Sequence, residues 1–125
     1  MNAEQARVQA FHEKYGAPVR RTPTLIEPKD RLRRARLIVS EAAEFLDAAD
    51  TGDLVEMADA LADLLVVVYG AAVELGIDLE PVFAEVHDSN MSKNGGKDAG
   101  GKILKGAGFR PQDILGALRA QGYAT

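Results

Sequence analysis

Cysteine is absent from these 125 residues, so neither a disulfide framework nor a thiolate metal site is available. That fits a reducing cytoplasm, which is the expected location. No window reaches ~18 apolar residues free of charge, and no membrane span is expected. The first residues lack the basic region and apolar run of a signal peptide. A positive charge excess is missing too: the formal net charge is −4, which argues against a general nucleic-acid binder. Strand-like alternation is weak throughout. With 46% hydrophobic and 27% charged residues, the chain reads as an ordinary globular protein able to bury one core.

Helical signals fill this frame. Residues 3–15 form a short amphipathic stretch with Ala6, Val8, Ala10, Phe11 and Tyr15, ended by Gly16. Ala17–Pro28 holds three prolines and reads as an extended connector. From about Lys29 to Asp50, Leu32, Ala35, Val39, Ala42 and Leu46 recur at three- and four-residue steps and predict a core-facing stripe. Thr51-Gly52 breaks this helix. Asp53 is the expected N-cap of the next, with Glu56 at N3 as in a capping box. That helix runs through Leu75 to Gly76, and its apolar surface is broad enough to require burial nearly all round. A fourth helix is expected from Asp78 to about Asn90. Ser92–Gly108 then concentrates six glycines with Lys93, Lys97, Lys102 and Lys105, a composition that predicts a mobile basic segment. A short last helix is expected over residues 112–120. The fold class is all-α: an antiparallel helical bundle whose four-helix core is completed by oligomerisation. We read one domain over 1–125, with an N-terminal helix and connector (1–28), an acidic helical core (29–91) and a tail (92–125).

Five carboxylates on consecutive helices carry the chemistry. Glu41 and Glu44 lie three apart; Glu56, Asp59 and Asp63 lie three and four apart. Such steps share a helical face, with neighbours about 5–6 Å apart. At ~100° per residue Asp63 falls about 40° from Asp59 and 20° from Glu56. Two unit charges 6 Å apart repel by roughly 3 kcal/mol at an effective dielectric of 20, so facing pairs call for a cation. Hard carboxylate oxygens suit Mg²⁺, with Mn²⁺ as the alternative, and Mg²⁺ completes its shell with water and phosphate. Each acid also has a bland role: Glu41 and Glu44 as a solvated face, Glu56 as a cap. Asp63 is the hardest to explain that way, since Leu61, Ala62, Leu64 and Leu65 surround it. Other chemistries fall away. No Gly-x-x-x-x-Gly-Lys-[Ser/Thr] occurs. Neither His12 nor His87 has a Glu three residues before it, as a di-iron bundle would want. Ser40 has no nearby relay partner.

Ser-Glu41-Ala-Ala-Glu44-Phe, Asp59-Ala-Leu-Ala-Asp63-Leu-Leu-Val-Val-Val-Tyr69-Gly70 and Leu-Gly76-Ile-Asp78 resemble the all-α nucleoside triphosphate pyrophosphohydrolases, over about residues 30–93. Within that superfamily, which holds MazG, the dimeric dUTPases and phosphoribosyl-ATP pyrophosphohydrolase, Val-His87-Asp-Ser-Asn90-Met-Ser-Lys93 and the tail resemble the MazG-like, phosphoribosyl-ATP pyrophosphohydrolase-like branch. The resemblance implies Mg²⁺ held by a Glu-x-x-Glu pair and a Glu-x-x-Asp pair, and cleavage of a triphosphate to monophosphate and pyrophosphate. Glu41 and Glu44 match the first pair. For the second, Asp63 matches if the downstream motifs anchor the comparison, which leaves Ala60 in the glutamate's place; Glu56-x-x-Asp59 matches literally but one turn early. Asp63 is favoured, with Asp59 or Glu56 standing in for the missing glutamate. Glu41 or Glu44 is the implied catalytic base. Asn90, Lys93, Lys97, Lys102 and Arg110 are the implied substrate contacts. The expected partners are a nucleoside triphosphate and further copies of the chain, as a homodimer or dimer of dimers, with no nucleic acid and no membrane. A catalytically silent nucleotide-binding module of the same fold is the alternative function, and a purely structural helical dimer is the third.

Overall fold

The computed structural model describes residues 1–124, and the chain divides into two compact units, Met1–Ile77 and Asp78–Thr125. In the first, α1 (Ala3–Tyr15), α2 (Pro28–Thr51) and α3 (Leu54–Leu75) are all terminated by glycines in the left-handed conformation, Gly16, Gly52 and Gly76. Pro28 opens α2 at a position where its missing N–H is harmless. The turn between α2 and α3 is short. Gly52 donates to the Ala48 carbonyl at 3.0 Å, and the Asp53 side chain accepts from the amides of Val55 and Glu56. The Asp53 amide itself reaches Ala48 at 3.3 Å. The reciprocal half of the expected capping box is therefore not formed, and the Glu56 carboxylate is not tied up as a cap.

The two long helices run antiparallel, because Arg34 of α2 meets Val67 and Glu74 of α3 while Glu41 meets Asp63. α1 is pinned onto α3 by Asn2 Nδ2 donating to Tyr69 OH (3.0 Å) and Gln5 Nε2 donating to the Ile77 carbonyl (2.7 Å). The connector is extended, as its prolines require. It covers the end of α3, with the Arg20 and Thr24 amides donating to the carbonyls of Val73 and Leu75. Gly76 is needed there for two reasons: its φ is 73°, and a Cβ would strike the Thr22 carbonyl.

The buried apolar residues of this unit are Val8, Ile26, Ala48, Ala60, Ala72 and Val73, a thin core. The stripe expected to face the core does not. Leu32, Val39 and Leu46 are 50%, 67% and 68% exposed, and Ala35 and Ala42 are exposed as well. The inward face of α2 is instead Arg34, Leu37, Ile38, Glu41, Phe45 and Ala48. Arg34 turns inward because it pairs with Glu74 and the Val67 carbonyl of α3, and Glu41, two turns on along the same face, comes to lie against Asp63, so the larger aliphatic stripe is left outside.

In the second unit α4 (Leu79–Met91) and α5 (Ile114–Arg119) are capped by Asp78 and Asp113. Their ends are joined by Asp113 N–H to Glu85 Oε1 (2.9 Å) and by a mutual pair between Gln121 and the Asp78 backbone. The glycine- and lysine-rich segment, expected to be mobile, is folded as a small hairpin. Gly95 donates to the Leu104 carbonyl, Leu104 to that of Gly96, and Asp98 to that of Lys102. Asp98 Oδ1 closes the tip by accepting from the amides of Gly100 and Lys102, both at 2.9 Å. Among the described residues no β-strand forms beyond the isolated bridge between Lys97 and Ile103. The protein is all-α, and no single helix is long and apolar enough to cross a membrane.

Candidate functional site

Glu41 and Glu44 lie on the middle turns of α2, and antiparallel packing brings Asp63 of α3 against them. One carboxylate oxygen from each of the three lies within 4.8 Å of the others. Glu41 is half-buried, whereas Glu44 and Asp63 are exposed. The Oε2 of Glu41 is shielded from solvent and has no hydrogen-bond partner among the described residues. A hydrogen bond to Glu44, which requires a proton, holds the Glu41 carboxyl above the usual carboxylate range. Burial and the charges of Glu44, Asp63 and Asp59 act in the same direction. In this arrangement three hard oxygen donors converge and one oxygen is desolvated without a partner, which is what a divalent cation of the Mg²⁺ type fits.

The rise carries a sign. The folded state holds the Glu41 proton more tightly than the unfolded chain does. Its stabilising contribution is therefore complete below the ordinary value of 4.5 and is lost as pH rises through the raised value. In chelator, wild-type protein should gain melting temperature relative to Glu41→Gln as pH is lowered from 7 to the ordinary value of 4.5. Parallel melting curves of the two proteins across that range would count against this account.

Asp59 and Glu56 lie outside the trio. With Glu44, Asp47, Ala48, Thr51 and Ala60 they line an open cleft of about 430 Å³ between the end of α2 and the start of α3. Ala60 is buried at the place where the resemblance has a glutamate. Asp47 escaped the sequence reading although it stands three residues after Glu44, the spacing that singled out the others.

The five residues implied in substrate contact all belong to the second unit. Asn90 is exposed in the last turn of α4, and its carbonyl accepts from the Lys93 amide at 3.2 Å. Lys93 is half-buried. Lys97 and Lys102 flank the tip of the hairpin and are exposed. The Arg110 guanidinium sits 3.8 Å from Asp88, and its amide donates to Ser92 Oγ at 2.8 Å.

Residues 8–90 match the profile described as phosphoribosyl-ATP pyrophosphohydrolase. The chain belongs to the phosphoribosyl-ATP pyrophosphohydrolase family. A comparison with curated proteins finds no match. The matched span runs from α1 through nearly all of α4. It contains the five acids and Asn90, and ends before Lys93, Lys97, Lys102 and Arg110. As a member of this family of pyrophosphohydrolases, the protein acts on a nucleotide substrate, and family members are typically metal-dependent.

Proposed function

We propose that the protein is a homodimeric, Mg²⁺-dependent nucleoside triphosphate pyrophosphohydrolase of the cytoplasm, releasing a nucleoside monophosphate and pyrophosphate. The observation that carries this reading is the convergence of Glu41, Glu44 and Asp63 within 4.8 Å around an unpartnered buried oxygen. These three would hold the ion, with Mn²⁺ able to replace Mg²⁺. Asp59 or Glu56 supplies, from the neighbouring cleft, the carboxylate that Ala60 lacks. When bound, the ion supplies charge neutralisation for the phosphates and Lewis acidity. A Glu41 or Glu44 carboxylate oxygen not bound to the ion would take the proton of the attacking water as general base. Asn90 hydrogen-bonds the nucleotide. Lys93, Lys97, Lys102 and Arg110 balance the charge that develops on the leaving pyrophosphate.

The test is product identity over a panel of canonical and modified nucleoside triphosphates that includes phosphoribosyl-ATP. Release of pyrophosphate from at least one of them, dependent on Mg²⁺ or Mn²⁺, is expected by ³¹P NMR. Orthophosphate as the first product would place cleavage at the terminal phosphate and sink the mechanism. Ala60 favours one other reading, a nucleotide-binding module without turnover. Saturable nucleotide binding with no product over the whole panel would establish that instead.

A further inference from the structure

Two turns along the same seam from the acidic trio, α2 and α3 are joined by buried charges that the proposed chemistry does not use. Glu74 is 1% exposed and Arg34 only 11%. Glu74 Oε1 accepts from Arg33 at 2.7 Å, and its Oε2 lies 3.7 Å from Arg34 Nε. Arg34 also donates to the Val67 carbonyl at 3.0 Å, and Arg20 donates to the Glu74 carbonyl at 2.7 Å. The guanidinium of Arg34 passes directly over Gly70, where any Cβ would collide with it; His12 Nε2 of α1 lies 3.3 Å from the same point. Burial pushes the Arg34 guanidinium below its ordinary value, Glu74 raises it and Arg33 lowers it.

The positions are periodic. Arg34, Glu41 and Ala48 repeat every seven residues on the inward face of α2. Asp63, Val67, Gly70 and Glu74 follow at steps of four, three and four on α3. Beside Leu37, Ile38 and Phe45 of the inward face, the buried residues Ala48 and Ala60 are small, and their packing distinguishes one register from the next only weakly. A slip of one helical turn displaces α2 by about 5.4 Å, more than the 4.8 Å within which the three carboxylates meet. Buried ionic groups are best attested as devices that select register.

We infer that Arg33 and Arg34 closing on Glu74, with Gly70 as the seat for Arg34, lock the register of α2 on α3 and thereby set Glu41 and Glu44 against Asp63. Arg34, Gly70 and Glu74 are positioning residues. The metal part of the test rests on the function proposed above; the register part does not.

The chain has no cysteine, so spin labels at Ser40→Cys and Ala62→Cys, both exposed sites beside the acids, report register in full-length protein diluted with unlabelled chains. Mn²⁺ affinity is measured on the same backgrounds without labels. Gly70→Ala and Arg34→Lys are compared with Val8→Ala, a core truncation on α1 that lowers stability without touching the clamp. Gly70→Ala should broaden or shift the label distance by about one turn and weaken Mn²⁺ binding at least tenfold. Arg34→Lys keeps the charge but loses the planar fork; it should do the same to a smaller extent, and it carries the test if Gly70→Ala does not fold. Val8→Ala should leave both readings at the wild-type value. Distances and affinities of the clamp variants that coincide with those of Val8→Ala would overturn the inference. If wild-type protein binds no Mn²⁺, the metal reading fails, and the label distance alone decides the clamp.

Discussion

Asp63→Asn and Glu44→Gln are each expected to lower turnover by about 100-fold or more while the helical fold is kept. The estimate follows from the several kcal/mol that a bound ion contributes to a charged transition state, at about 1.4 kcal/mol per tenfold in rate. Each substitution keeps shape and removes one of three charges that meet within 4.8 Å. For the same reason the metal-free variants should melt a few degrees higher than wild type, on the order expected for relief of a solvent-screened like-charge contact. Mg²⁺ should narrow or reverse that gap, because wild type has more binding energy to gain. Glu56→Gln should cost less activity than either, since Glu56 lies in the adjoining cleft and outside the trio. Steady-state rates and melting curves with and without chelator decide all three. Equal losses at Glu56 and Asp63 would mean that the second acidic pair is Glu56 with Asp59.

What could be read in the chain and what could not divide along physical lines. Helix ends were legible because Gly16, Gly52 and Gly76 stop helices by backbone conformation, a local property of the residue. The approach of Glu41, Glu44 and Asp63 was legible because residue spacing on a helix fixes angle, and the short turn at Gly52 leaves little choice but an antiparallel hairpin. The inward face of α2 was not. Leu32, Val39 and Leu46 make the stronger aliphatic stripe, and no local signal reveals that Arg34 finds its partners on another helix. Glu74 is the same case: it sits between Val73 and Leu75 as an apparent flaw in an apolar helix, and its neutralising arginines come from α2. The hairpin at residues 95–106 escaped because it is held by the Asp98 side chain and a few amide bonds, with no strand-like alternation to announce it.

The exposed stripe leads to the remaining prediction: wild-type protein should be a dimer or larger at low micromolar concentration. Leu32, Val39 and Leu46 stand at heptad spacing on the side of α2 turned away from α3. Leu54, Val55, Leu61, Leu65 and Val66 are exposed along α3. Heptad-spaced aliphatic residues on a long helix are the pattern by which helices of two chains pair. Full burial of one such side chain is worth ~1.5–3 kcal/mol, so eight of them left about half bare forfeit roughly 6–12 kcal/mol. That is as much as the whole stability of a typical domain, ~5–15 kcal/mol. The thin core of the first unit, largely alanine and valine with buried Gln5, His12 and Glu74, has little to set against that loss. A second copy would supply the missing cover. Leu32→Lys with Leu46→Lys places two charges in that seam and should raise the dimer dissociation constant at least 100-fold, about 2.7 kcal/mol. Light scattering should give at least twice the 13.4 kDa chain mass for wild type and a concentration-dependent fall toward one chain for the double variant. A well-folded wild-type monomer under these conditions would mean that the stripe is tolerated in water, and that whatever site the carboxylates form is built by one chain.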